Sequence, residues 1–277
     1  MGKEIKIGKS IIHTERAKVT GSQVLIDNEP FYKIGNSDTM RPFFMSIVSE
    51  SNHWMFISSN GGLSAGRKNS EYALFPYYTD DKITESAEIT GSKTIVRVKR
   101  NKDTFLWEPF SDKYKGLYTI SRNLYKNMYG NKVIFEEINE DLQLTFSYQW
   151  NSSNQFGFVK RTKLSSQSEE DIKVEILDGI QNILPYGVTT ELQNTRSNLV
   201  DAYKKNELLP SCGLGIYALS AIIVDRAEPS EALKANVAWS IGFKKPTYLV
   251  SSLQLQNFKE GRSLTQETDI RAEKGAY

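Results

Sequence analysis

Leu142, Leu144, Phe146, Tyr148 and Trp150 alternate with Asp141, Gln143, Thr145, Ser147 and Gln149. Successive side chains of a strand point to opposite faces, so this period of two predicts a β-strand with one buried face. A one-residue slip would expose the whole apolar set. Related patterns predict strands at Phe43–Val48, Trp54–Ser58, Ile83–Ile89, Thr94–Lys99, Leu117–Met128 and Lys132–Ile138, and again at Phe156–Leu164, Ile172–Leu177, Gly213–Asp225, Val237–Phe243 and Tyr248–Gln256. The separators, among them Gly21-Ser22, Gly91-Ser92, Tyr129-Gly130-Asn131 and Asn139-Glu140-Asp141, are turn formers too short for helical crossovers. Neighbouring strands are therefore expected to be antiparallel. Several run to about ten residues, which suits a large two-sheet sandwich better than a small barrel.

Thr190 to Leu209 breaks the pattern. Leu192, Leu199, Val200, Tyr203 and Leu208 fall near helical spacing, Thr190 with Gln193 makes a capping box, and Pro210 ends the run. A second short helix is expected from Pro229 to about Lys234. The expectation is an all-β class, a large antiparallel β-sandwich with one or two inserted helices. It occupies residues 1–258, and the weakly patterned 259–277 reads as a polar linker or the start of a further domain. No period of repeat architectures shows at the level of residue identity.

With 277 residues the chain can bury a substantial core without staples. Its 35 Lys and Arg against 33 Asp and Glu exclude a strongly basic nucleic-acid binder and an acidic disordered tail as global descriptions. A single cysteine, Cys212, allows no intrachain disulfide and fits a reducing compartment. The start of the sequence carries no apolar stretch of signal-peptide length, and the longest apolar run, Leu214 to Val224, is too short to cross a bilayer. These features favour the cytoplasm, while the compartment stays open, and no membrane or nucleic-acid partner is expected.

Motif-like chemistry concentrates at Ser59 to Lys68. Gly62-Leu63-Ser64-Ala65-Gly66 satisfies the nucleophile-elbow spacing, but both histidines, His13 and His53, precede Ser64 where that arrangement needs one downstream. Gly61 and Gly66 have phosphate-loop spacing, but Arg67 and Lys68 stand where Lys and then Ser or Thr belong. One Cys and two His cannot make the usual zinc sets. Carboxylates such as Asp80 and Asp81 leave calcium open, since such sites need no signature. Glu136-Glu137 and Glu169-Glu170 read as solvated charge, because neighbours on a strand face opposite ways. Neither a catalytic residue, a metal nor a cofactor is expected. Gly61 to Lys82 reads as the longest stretch without strand, with Arg67, Glu71, Asp80 and Asp81 around the aromatic run that includes Tyr77 and Tyr78. Arg67 pairing with Asp80 or Asp81 would pin it. These six residues and Trp107 are the candidates for carbohydrate or domain-interface contact.

Four stretches, Leu63 to Ile83, Asp178 to Gly187, Leu199 to Glu207 and Asp225 to Trp239, together resemble the amino-terminal region of large multidomain proteins described as cellobiose-phosphorylase-like or glycoside-hydrolase-like. The resemblance implies a galactose-mutarotase-like super-sandwich, followed in that family by a linker and an (α/α)6 barrel that carries the catalytic acid. Nothing after Tyr277 supplies that barrel, so the implied role is a non-catalytic accessory domain. Its partners would be the barrel of the same parent chain and carbohydrate, with a homodimer also open. The alternatives are a stand-alone glycan-binding or adhesion sandwich, and a sugar mutarotase, which would need a histidine acid and a carboxylate base meeting in a cleft.

Overall fold

The computed structural model describes residues 5–14, 17–221 and 234–277. Strands dominate and pair antiparallel in several sheets, as the short separators require. In chain order the strands are β1 (Ile5–Ile7), β2 (Ser10–Ile12), β3 (Thr20–Ile26), β4 (Glu29–Gly35), β5 (Phe44–Ile47), β6 (His53–Ser58), β7 (Leu63–Arg67), β8 (Ala73–Phe75), β9 (Gly91–Arg100) and β10 (Asp103–Trp107). Then come β11 (Ile120–Asn127), β12 (Lys132–Asn139), β13 (Leu144–Ser153), β14 (Gly157–Ser166), β15 (Lys173–Ile183), β16 (Lys204–Leu209), β17 (Leu214–Leu219), β18 (Asn236–Ala238), β19 (Asp269–Arg271) and β20 (Gly275–Ala276). The helices are short: α1 (Asp80–Glu85), α2 (Thr190–Thr195), α3 (Ser197–Tyr203) and α4 (Leu255–Lys259). In place of one body over 1–258, the chain divides into two compact units. Unit 1 takes Met1–His53, Ile57–Gly61 and Thr94–Ile176; unit 2 takes Trp54–Phe56, Gly62–Lys93 and Leu177–Tyr277. Strands β6, β9 and β15 contribute residues to both.

Unit 1 is built on a six-stranded sheet of order β14-β13-β12-β11-β4-β3. All five apolar residues from Leu142 to Trp150 are buried, as the alternation predicts. The register places Tyr148 opposite Phe135 and Phe146 opposite Glu137. Phe110, from the segment after β10, meets Phe135, Phe146 and Tyr148 edge-on at 5.0–6.2 Å between centroids. At the margins Glu29 accepts hydrogen bonds from Lys132 and Asn127, and Glu175 from Lys99. Glu175 also pairs with Arg97. The bond from Lys132, helped by Asn127, holds the Glu29 carboxyl below its ordinary range, and the bond from Lys99 does the same for Glu175 against an opposing burial effect. A depressed folded-state pKa means that the unfolded chain takes up these protons first as the pH falls. The contribution is therefore complete above about pH 5, clear of the usual carboxylate value of about 4.3, and is lost as the pH drops through the folded values. The melting temperature should fall from about pH 5 towards pH 3, and Glu175→Gln should flatten that limb. An unchanged limb in the variant would show that this pair contributes nothing.

Unit 2 departs from the sequence pattern in several places. Ile83–Ile89, expected as a strand, is α1 followed by a 3-10 turn at Ser86–Glu88. Asp80 and Asp81 occupy the first helical turn, where the helix dipole favours acids, and only Ile83 needs burial. The single expected helix from Thr190 to Leu209 is α2, α3 and then β16. Its N-cap is Thr189 rather than Thr190, the Thr189 hydroxyl accepting from the Leu192 N–H at 3.2 Å. Lys204, Asn206 and Leu208 point inward from β16, and Lys204 keeps its charge paired by bonding Asp201 Oδ1 at 2.7 Å. Tyr248–Gln256, expected as a strand, makes only a bridge from Ser251 to Gly275 before α4 begins. There the Glu267 carboxylate accepts from the backbone N–H groups of Val250 and Ser251, both at 2.8 Å, so a side chain takes the place of a neighbouring strand. Val237–Phe243 shortens to β18, and the helix expected from Pro229 lies almost wholly outside the described residues.

Residues 259–277, read from sequence as a linker, fold into unit 2. β19 pairs with β16, β20 pairs with β15, and Tyr277 exchanges both backbone hydrogen bonds with Ile180 at 2.8 Å. A core of Ala73, Leu184, Val188 and Val200, with Trp54, Leu192 and Leu219 against it, supports the face described next.

Candidate functional site

Trp54, on β6, lies across Gly66 of β7. A Cβ on Gly66 would stand 2.5 Å from Trp54 Cζ2 and from the Tyr72 carbonyl, so only glycine lets the ring and the β7–β8 connection approach this closely. The Trp54 N–H donates to the Asn69 carbonyl at 3.2 Å. The Asn69 side chain in turn accepts from the Glu71 N–H at 3.1 Å, capping the 3-10 turn that carries Tyr72. Tyr77 meets Trp54 edge-on at 5.6 Å, and Tyr72 lies 6.4 Å from Tyr186 at an angle of 50°. Tyr72 and Tyr77 keep 42% and 38% of their surface exposed. Polar groups rim the rings. Gln193 Oε1 accepts from the Tyr77 N–H at 3.0 Å, and Glu71 Oε2 from the Thr190 N–H at 3.2 Å. Lys68 Nζ stands 5.1 Å from the Tyr72 ring centre, and Lys234 Nζ 5.4 Å from that of Tyr186.

The structure brings Glu71 and Tyr77 together on this face. Tyr78 is half-buried beside them in sequence, and burial pushes its phenol pKa up, with the charge of Asp201 adding to the effect. Asp80 and Asp81 serve the start of α1: Asp80 Oδ1 accepts from the Asp81 N–H at 2.9 Å, and Asp81 accepts from the Thr79 hydroxyl. The bond from Thr79 first, and then one from the Lys82 backbone N–H, hold the Asp81 carboxyl below its usual range against an opposing burial effect. Arg67 is exposed at the end of β7. The segment 61–82 is not a long loop but β7, a 3-10 turn, β8 and the start of α1. Its glycines answer packing needs. Gly61 has φ +95° with the Tyr148 hydroxyl 2.6 Å from where a Cβ would stand, and at Gly62 a Cβ would meet the Ile83 carbonyl oxygen at 2.0 Å. Pattern reasoning missed Trp54, Tyr72 and Tyr186, because no sequence spacing joins β6, the 3-10 turn and the segment after β15.

Trp107 belongs to unit 1 and is corrected to a core residue. It is 2% exposed, and its indole N–H donates to Glu137 Oε1 at 2.7 Å. Glu137, read as solvated charge, is likewise 2% exposed. Its Oε2 accepts from the Phe110 N–H and from Arg122 Nε, both at 2.7 Å. Arg122 lies directly across from it on β11 and also bonds Asp112 at 2.8 Å and the Ser111 carbonyl at 3.0 Å. Burial works to lower the guanidinium pKa, but Glu137 and Asp112 outweigh it and raise it. Phe110 is held at φ +65° within this cluster, a conformation that the surrounding bonds and rings must sustain. Beside it is a small cavity of about 20 Å³ lined by Trp107, Glu108, Tyr114, Lys115, Tyr118 and Glu137. That is room for a water molecule and not for a sugar ring.

The exposed rings of unit 2 can take the apolar face of a ring-shaped ligand or of another protein, with amide and ammonium groups at the margin. Among the described residues no group of three or more His, Cys, Asp or Glu is gathered to hold a metal. His53 is buried at the start of β6, bonded through Nδ1 to Ser51 and edge-on to Phe158. No family model matches this chain, and no curated protein matches it.

Proposed function

We propose that this chain is a non-catalytic accessory module of a carbohydrate-active protein, a super-sandwich of the galactose-mutarotase-like type, and that its unit 2 aromatic face makes the contact with glycan. The observation that carries this reading is the set of exposed Tyr72 and Tyr77 with half-buried Trp54 and Tyr186, tied by hydrogen bonds from the Trp54 indole and the Tyr77 N–H. Strands of ten and eleven residues, β9, β13, β14 and β15, support the sandwich class. In a parent protein the same module would dock an (α/α)6 catalytic barrel. The resemblance of Leu63–Ile83 and Asp178–Gly187 to cellobiose-phosphorylase-like proteins supports that partner. Arg67, Asp80 and Asp81 are then candidates for the domain border, and Glu71, Tyr77 and Tyr78 for the glycan.

Affinity electrophoresis in gels cast with soluble cellulose derivatives or pectate tests the contact. Migration should be retarded, and Tyr72→Ala and Tyr77→Ala should each weaken retention about tenfold, the loss of one ring platform at about 1.4 kcal/mol. The purified chain should neither hydrolyse nor phosphorolyse β-linked disaccharides, nor speed glucose mutarotation. Turnover abolished by a substitution in this chain, or retention indifferent to both tyrosines, would overturn the reading.

A further inference from the structure

We infer that the Tyr72–Tyr186 pair selects anionic pyranosides, sugars carrying a carboxylate or a sulfate. The inference rests on the reading of this face as a glycan contact and adds the charge of the ligand. Both rings carry an ammonium group over them, Lys68 at 5.1 Å and Lys234 at 5.4 Å. A ligand that stacks on either ring at that face must displace the lysine. Exposed cation–π contacts are weak, so the lysine leaves readily, but a neutral sugar offers the displaced ammonium nothing in return. An anionic sugar supplies both halves of the exchange. Its C–H face covers the tyrosine, and its carboxylate or sulfate accepts charge-assisted hydrogen bonds from the ammonium.

The rest of the face favours the same ligand class. Lys68 and Lys234 are both exposed there, two cations at the rings against the one carboxylate of Glu71, which accepts from the Thr190 N–H. The two tyrosines, with ring centres 6.4 Å apart and inclined at 50°, lie against each other as an angled pair, each with its own ring face to offer. Lys68 approaches Tyr72 from the β7–β8 connection and Lys234 approaches Tyr186 from the segment before β18, so each platform has its own cation. A ligand with regularly spaced anionic units can engage both.

Titration calorimetry of the full chain tests this with three hexasaccharides: hexagalacturonate, its carboxyl-reduced neutral counterpart, and a sulfated galactan. At least one anionic ligand should bind at least tenfold more tightly than the neutral one, and which of them does so identifies carboxylate or sulfate as the source of charge. Tyr72→Ala should weaken that ligand at least tenfold. Lys68→Gln and Lys234→Gln should bring its affinity towards that of the neutral sugar and flatten its salt dependence. All three positions are exposed, so unchanged melting curves will show that the fold is intact. Polyglutamate controls for charge alone and should be insensitive to Tyr72→Ala. Equal affinity for neutral and anionic hexasaccharides would overturn the charge selection and leave the glycan contact standing. Binding to none of the three at millimolar concentration would overturn both. Polyglutamate binding as tightly as hexagalacturonate, with neither affected by Tyr72→Ala, would reduce the face to a cationic patch and overturn the inference.

Discussion

Glu137→Ala is expected to destabilise unit 1 by about 3–5 kcal/mol, because it strands a buried cation rather than removing a surface charge. Of its two carboxylates Arg122 would keep Asp112, which is largely exposed, beside the neutral Ser111 carbonyl, and the N–H groups of Trp107 and Phe110 would lose their acceptor. Phe110 would then have less to hold it at its left-handed φ. Arg122→Ala should cost a comparable amount by leaving the buried carboxylate without its guanidinium. The double variant Glu137→Leu with Arg122→Met should recover part of that loss, since removing both charges cancels the desolvation penalty that either alone leaves behind. Denaturant unfolding followed by the fluorescence of Trp107 and Trp150, both in this unit, reads the effect directly. Additive losses in the double variant would mean that the pair is not energetically coupled.

Removal of residues 262–277 should leave unit 2 unable to fold stably, at a cost above about 5 kcal/mol, which is the lower end of the whole net stability of a domain. The deletion takes β19 from its pairing with β16 and β20 from its pairing with β15. It also takes Glu267, whose Oε2 accepts from the Val250 and Ser251 N–H groups and the Ser251 hydroxyl while Oε1 accepts from Gln254. Tyr217 would lose the Ala276 carbonyl that its buried hydroxyl bonds at 2.5 Å. Amide exchange should show protection lost at Ile180, Val250 and Ser251, with the β12–β13 amides of unit 1 keeping theirs. Protection unchanged at those three amides would restore the linker reading of 259–277.

The two experiments bear on opposite ends of what a sequence reveals. The alternation from Leu144 to Trp150 determined a strand, its buried face and its all-β setting, because a period of two with large apolar side chains has one inexpensive outcome, while Leu142 is buried from the turn before it. Antiparallel neighbours likewise followed from the length of the turns. Glu137 sits in the same alternating register on β12, Val133, Phe135, Glu137 and Asn139 all facing inward, yet its charge made it read as solvated. What reverses that reading is Arg122 on the neighbouring strand and the N–H groups of Trp107 and Phe110, none of which is near it in sequence.

The same cause separates β16 from the helix it resembled. Lys204 and Asn206 are polar, so their inward pointing leaves no apolar signature, and Asp201 and the Glu273 carbonyl help to make their burial tolerable. The aromatic face shows this most plainly. Tyr77 and Glu71 were legible as an exposed aromatic beside a charge, whereas Trp54, Tyr72 and Tyr186 join them only through the close pass at Gly66 and the cap at Asn69. Local sequence therefore determined where backbone and solvent alone settle the cost of an arrangement. Tertiary structure decided wherever a distant partner had to satisfy a buried charge, a backbone N–H or a ring face, because the energy of those groups lies in their partners and not in their neighbours along the chain.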